Sequence, residues 1–302
     1  MKIELSIIIV NWNGCEITKQ CLKSIYEQTR GIGFEIIVVD NGSTDSSCEM
    51  IKNEFSQVIL ISNNENRGFA AANNQGIKIA RGEFLLLLNN DTIILDNAIE
   101  KTLAAAKANP QAGVIGCRVL NADKSLQSTY FRFPSLLNLS LAALHLDSIF
   151  PKNIFFGRER YARAEWNKIT EVDVLTGCFM MARKDAVEEI GLLDERFFMY
   201  AEETDWCLRF KRKGWKVLYA PVGEIIHLGG ASSKNNKGAM TLQLKGSILL
   251  FFKKNRNAFS YRAACFIVAI YFLLRASFLF NANCGKGAFL SLLGAEYLCL
   301  KK

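Results

Sequence analysis

Residues 84–92 read FLLLLNNDT. The apolar run Phe84 to Leu88 describes a strand buried on both faces. It stops at two amides and a carboxylate, Asn89, Asn90 and Asp91. Three earlier apolar runs also end in polar groups: Asn11-Trp12-Asn13-Gly14, Asp40-Asn41-Gly42-Ser43, and Asn63-Asn64-Glu65-Asn66-Arg67-Gly68. Turn chemistry accounts for Asn41, Gly42 and Ser43. It accounts less well for Asp40 and Asp91, each the first charge after a buried strand. A crevice for a polar ligand accounts for all four ends. There is no Walker loop, and no Gly-x-Gly-x-x-Gly follows the first run, which argues against P-loop and dinucleotide enzymes. A bound diphosphate then needs another counter-charge, most simply Mg²⁺ or Mn²⁺ on a carboxylate, and Asp91 is the natural candidate.

A second group with chemical potential is YAEETDWCLR, where Glu202, Glu203 and Asp205 precede the apolar face of a helix. Acids at a helix start favour the dipole, but capping explains only one or two of the three. The sequence has 2 histidines. His227 follows a strand in EIIHLGG, whereas His145 lies in an apolar helical stretch and reads as core. Trp206 and Trp215 fit either sugar stacking or core packing.

The elements that must carry these groups alternate. Strands are expected at 5–10, 35–40, 58–62 and 84–88, with helices between them and a helix ended by Pro110, then a strand over AGVIGCRVL. VDVLTGCFMMAR reads as one strand, and WKVLYAP and EIIHLGG as two more segments. This alternation predicts an α/β fold with a mainly parallel sheet flanked by helices and ligands at the strands' carboxyl ends. Residues 1–120 form its first half, 121–230 its second, and 231–302 a basic, apolar helical appendage.

Net charge is +8, unevenly placed: from Ala231 on, eleven Lys/Arg face one acid, Glu296. A basic tail implies an anionic partner. Its apolar run AACFIVAIYFLL (263–274) is shorter than the ~20 residues that span a bilayer. Contact with an anionic membrane surface and packing on the core both remain readings of it. No nucleic-acid motif occurs. The 9 cysteines form no Cys-x-x-Cys pair, and the chain opens Met-Lys-Ile-Glu directly into a strand. Reduced thiols in the cytoplasm are expected.

Taken in order, SIIIVNWNG, IIVVDNGSTDSS, NRGFAAANNQGI, FLLLLNNDT, the stretch from TGCFMMAR to RFKRKGW, and IIHLGGAS resemble the family-two glycosyltransferases of GT-A fold. The match covers about residues 4–230 and is nearest a rhamnosyltransferase-like subgroup. The resemblance implies inverting transfer from a nucleotide-diphosphate sugar, at subgroup level dTDP-rhamnose, with Mg²⁺ or Mn²⁺. The subgroup builds bacterial surface polysaccharides, and the basic, apolar tail suits a glycan or polyprenyl-diphosphate-linked glycan acceptor at the inner membrane face. The resemblance implies that Asp40 meets the base. Val10, Asn11 and Asn13 match the first nucleotide loop, Ser43 the second, and Arg67 and Gly68 the loop beside the diphosphate. Asn89-Asn90-Asp91 stands where the family has Asp-x-Asp. Asp91 matches the metal ligand, while Asn89 replaces a carboxylate that faces the ribose or sugar. His227 matches a histidine that completes the metal site in some relatives. Glu203 matches the family's general base, one methylene longer, with Glu202 next and Asp205 holding local structure or acceptor. A nucleotidyltransferase and a non-catalytic membrane-associated scaffold are the competing readings. The first lacks its Gly-rich basic loop, and the second would bind nucleotide sugar weakly or not at all.

Overall fold

The computed structural model describes residues 2–160, 166–229, 237–279 and 282–298. The expected boundary at 230, and the end of the IIHLGGAS motif, lie outside them. The chain forms two compact units. The first comprises Met1–Tyr130, Glu165–Glu195 and Glu203–Lys234, the second Phe131–Ala164, Arg196–Glu202 and Asn235–Lys302.

Unit one is built on a nine-stranded sheet. Its strands are β1 (Leu5–Asn11), β2 (Phe34–Asp40), β3 (Ile59–Ser62), β4 (Phe84–Asn89), β5 (Thr92–Ile94), β6 (Ala112–Leu120), β7 (Thr170–Glu171), β8 (Phe179–Arg183) and β9 (Lys216–His227). Their order is β3-β2-β1-β4-β8-β6-β9-β5, with β7 on β9. The four strands that begin it, β3 to β4, are parallel, as are β6 and β9. Continuous apolar runs make β1, β2 and β4 buried on both faces. Helices α1 (Cys15–Gln28), α2 (Ser47–Glu54), α3 (Phe69–Ile79) and α4 (Ala98–Ala108) connect the strands. On α1, Thr18, Cys21, Leu22 and Ile25 share the buried face at helical spacing.

The second half departs from the sequence reading in three places. VDVLTGCFMMAR is two pieces, Val174–Leu175 and β8, parted at Thr176, whose N–H donates to Thr129 O (2.8 Å). β8 runs antiparallel between β4 and β6. WKVLYAP and EIIHLGG instead join in the single strand β9, whose register against β6 shifts between Tyr219 and Glu224. Pro221, which has no N–H for a ladder, falls inside that irregularity.

Unit two contains α5 (Leu136–Ala143) and α6 (Leu146–Ile149). Unit one resumes with α7 (Lys184–Ile190). After α8 (Glu202–Arg212), unit two ends in α9 (Lys237–Asn255), α10 (Ala258–Leu279), α11 (Ala282–Leu293) and α12 (Ala295–Leu298). Apolar α5 packs on α10, which also meets α9 and α11. His145 is exposed, not core: it stands at the N-cap of α6 in a left-handed conformation (φ 57°), its ring 6.1 Å from that of Tyr271. α10 is long and apolar enough to cross a membrane by length and composition alone, with mean hydropathy 1.5 over Ala258–Arg275 and 28% of that stretch buried.

Candidate active site

Register brings the carboxyl ends of β1, β2 and β4 together: Val10 stands beside Asn89, and Asn11 beside Asp40. Asn11, fully buried, is the hub. Its Nδ2 donates to Asp40 Oδ2 (2.8 Å) and Ser43 Oγ (3.2 Å). Its Oδ1 accepts from Thr18 Oγ1 (2.8 Å) and Asn90 Nδ2 (3.0 Å). Asn90 Nδ2 also donates to Thr18 Oγ1 at 3.1 Å. A Cβ at position 14 would lie 2.7 Å from Asn90 Nδ2 and 2.9 Å from Asn11 Oδ1, so any larger residue than Gly14 would push this network apart. Asn11, Asn90 and Thr18 therefore tie the first loop to the end of β4.

Asp40 is equally engaged. It is 1% exposed, and its Oδ1 accepts the Ser43 N–H (2.9 Å). The two loops then grip each other: Asn13 N–H donates to Ser43 Oγ (2.8 Å), and Asn13 Oδ1 accepts from Thr44 N–H (2.7 Å). Asn13 takes a left-handed φ of 50° to do so. The third loop closes on the second through Asn41. Its Nδ2 donates to Gly68 O (3.1 Å), and its Oδ1 accepts the Arg67 N–H (3.3 Å). The Arg67 side chain is exposed, and Gly68 begins α3.

Beside this frame lies a pair the chain brings from far apart. Asp91 Oδ1 is 3.1 Å from His227 Nε2, both side chains largely buried. His227 reaches it because β9 pairs antiparallel with β5, setting His227 opposite Thr92, and because Leu228 N–H donates to Asp91 O (2.9 Å). His227 Nδ1 lies 2.7 Å from Gln127 Oε1. A carbonyl oxygen only accepts, so Nδ1 carries a proton, assigned from its partner, and the ring is turned so that Nε2 faces the Asp91 carboxylate. Gln127 is itself held, donating from Nε2 to Asn121 Oδ1 (2.8 Å). Asn89 Nδ2 completes the group, 3.3 Å from His227 Nε2.

The donor set fits a divalent cation. A lone-pair nitrogen facing a carboxylate needs a proton or a cation between them. Adjacent ligands on an octahedral shell of ~2.1 Å stand about 3 Å apart, as these two do. No cluster of three or more His, Cys, Asp or Glu suited to a metal occurs among the described residues. A cation held by this pair would need its remaining positions filled by phosphate oxygens and water. Nearby thiols add no thiolate: burial pushes Cys21 up to about 12 and Cys178 up to about 11.

The acids of α8 fall into different environments. Tyr200 (φ 69°) and Ala201 (φ 65°) are both left-handed just before it, a strain of about 1–3 kcal/mol each. Glu202 is buried and Glu203 half-buried. Asp205 is fully buried, and its Oδ2 accepts from Arg209 Nε (2.9 Å). That guanidinium in turn donates to Ile190 O and Leu192 O, both at 2.7 Å. Asp205, expected from sequence to hold local structure or the acceptor, is bound to Arg209 in this geometry. Trp206 is also core, its indole N–H donating to Gly191 O (3.0 Å).

Sequence reasoning missed Gln127 and Thr18. Gln127 sits in the polar loop NADKSLQST, where nothing in spacing or type marks it. Thr18 carried a weak signal, being a hydroxyl on the buried face of α1.

Comparison with known proteins agrees with the fold. A mannosyltransferase from Pyrobaculum calidifontis, solved with GDP-Man and Mn²⁺, superposes with a TM-score of 0.58 at 17% identity, covering 99% of this chain and 85% of that one. An N-acetylglucosaminyl-diphospho-decaprenol L-rhamnosyltransferase of Mycobacterium tuberculosis is 29% identical over 203 residues, 64% of this chain. The aligned part spans 66% of that relative, just under two thirds of its length. A low-salt glycan biosynthesis hexosyltransferase of Haloferax volcanii is 28% identical over 235 residues, 74% of this chain and 67% of that protein. The sequence profile of glycosyl transferase family 2 matches residues 6–191, most of the α/β sheet and the strand ends that frame Asp91, and the chain belongs to that family.

Proposed function

We propose that the chain is an inverting, metal-assisted glycosyltransferase. It would move a sugar from a nucleotide-diphosphate donor to a glycan acceptor borne on a polyprenyl diphosphate, in cell-surface polysaccharide synthesis. The observation that supports this is the Asp91–His227 pair at the strand ends, with the His227 ring oriented by Gln127. A divalent cation bound there, Mg²⁺ or Mn²⁺, supplies positive charge for the departing diphosphate. Asp40, Asn11, Asn13 and Ser43 shape the floor on which the nucleoside lies. Val10 and Asn90 fix that floor to β4, and Arg67 and Gly68 border the phosphates. Glu203, the least buried of the acidic trio, accepts the acceptor hydroxyl's proton. That oxygen bonds to the anomeric carbon as the carbon–phosphate oxygen bond breaks. The leaving diphosphate needs no protonation, so one catalytic carboxylate suffices, unlike the two of a hydrolase.

Screening nucleotide sugars with and without Mn²⁺ tests the reading, starting with dTDP-rhamnose because the mycobacterial relative is named a rhamnosyltransferase. No metal-dependent binding or turnover with any donor would leave the scaffold alternative standing. Gln127→Ala should weaken Mn²⁺ binding about 10–100-fold by freeing the His227 ring; unchanged affinity in a Mn²⁺ titration would remove Gln127 from this role.

Membrane contact is part of the same proposal. α10 exposes Phe259 (77%), Phe266 (61%) and Leu273 (57%), one every seventh residue. Lys253, Lys254, Arg256 and Arg262 lie just before or within it. Apolar residues with basic neighbours suit an anionic inner leaflet, where each cation contributes about 1 kcal/mol. Wild-type protein should pellet with phosphatidylglycerol vesicles, and Phe259→Asp with Phe266→Asp should abolish pelleting. Pelleting that survives both changes would rule this surface out.

A further inference from the structure

Unit two holds a cavity of about 590 Å³ lined by Arg132, Lys152, Asn153, Ile154, Phe155 and Arg158. Its size is that of a small-molecule site. Half of its lining residues are cationic and none is acidic. Arg158 opens a short 3-10 turn, and its Nε is buried with no hydrogen-bond partner. A buried N–H of a charged group is costly to leave unmet, so an anion oxygen there would remove a penalty as well as add an attraction.

The other wall is apolar and open to solvent. Ile154 and Phe155 are each more than half exposed, and Phe155 sits edge-on to Phe156 at 5.4 Å, with Phe150 5.5 Å beyond. Asp147 and Glu159, the acids of the same segment, interact electrostatically with Lys245. A ligand matching this surface carries more than one negative charge at one end and hydrocarbon at the other. A free nucleotide lacks the second feature and a fatty acid has too little of the first.

We propose that this cavity receives the diphosphate of a polyisoprenyl-linked acceptor. Arg132, Lys152 and Arg158 take the phosphate oxygens, and the first isoprene units lie on Ile154 and Phe155. The proposal rests on the lipid-acceptor reading above, and names a site for it separate from the Asp91 pair.

The test is calorimetry on the full chain in EDTA, which silences metal-dependent phosphate binding at Asp91. Farnesyl diphosphate, inorganic pyrophosphate and farnesol are titrated in turn. Farnesyl diphosphate should bind about tenfold or more tightly than pyrophosphate, and farnesol more weakly than either. Arg158→Ala and Lys152→Ala should each weaken farnesyl diphosphate about tenfold, and Arg158→Lys should restore part of the loss. Mn²⁺-dependent nucleoside diphosphate binding should be unchanged in all three variants. Equal affinity for pyrophosphate and farnesyl diphosphate, or indifference to Arg158→Ala, would overturn the assignment. Failure of the transferase reading shows elsewhere, as absent nucleotide-sugar turnover in the wild type.

Discussion

Replacing Glu203 with Gln should reduce turnover by about 10²–10⁴-fold while leaving donor affinity intact. Glutamine keeps the size of the side chain and its capacity to accept the hydrogen bond from Thr204 Oγ1, 3.4 Å away. It cannot take a proton from a hydroxyl. Because the change is isosteric and Glu203 is only half-buried, α8 should stay folded and the nucleotide loops untouched. Steady-state kinetics with a saturating donor, paired with calorimetry of the nucleoside diphosphate, separates chemistry from binding. Near-normal turnover would remove Glu203 as the base. A collapse in Glu202→Gln instead would move the role one residue back.

Asp91→Ala should abolish metal-dependent nucleotide binding, with a loss in kcat/KM of about 10²-fold or more, equivalent to about 2.7 kcal/mol. Where the family has two carboxylates, this chain has Asn89 and Asp91. Alanine therefore removes the only formal negative charge from the group formed by Asn89, Asp91 and His227. The backbone need not shift, since it is the Asp91 carbonyl that accepts from Leu228 N–H. Calorimetry with a nucleoside diphosphate and Mn²⁺ decides it. Full Mn²⁺-dependent affinity in the variant would place the metal elsewhere.

Much of this architecture could be read before any coordinates. A strand buried on both faces writes a continuous apolar run, so β1, β2 and β4 announced themselves, and with them the polar residues at their ends. What failed was the second half. β8 is antiparallel, yet an apolar run carries no direction, so FMMAR gives no hint of it. The irregularity around Pro221 broke the apolar pattern of β9 without breaking the strand. His145 was misread because its neighbours in α5 are apolar, while one left-handed residue turns it out. Asn11 and Asn90 look like ligand-binding amides in sequence. In the fold they also bind each other, since the buried Asn11 amide must find partners and Asn90 at the adjacent strand end supplies one. Gln127 was invisible for a simpler reason: its partner lies 100 residues away.

The strand that delivers His227 lies between β6 and β5 and is the last of the sheet in sequence, and that orders events in time. Asp91 and His227 are 136 residues apart. During synthesis at about 5–20 residues per second, the carboxylate precedes its imidazole by roughly 7–27 s. Through that interval the nascent chain has its first four strands but not the imidazole that stands against Asp91. The Asp91–His227 contact can form only once β9, the last strand of the sheet to be made, has been laid down.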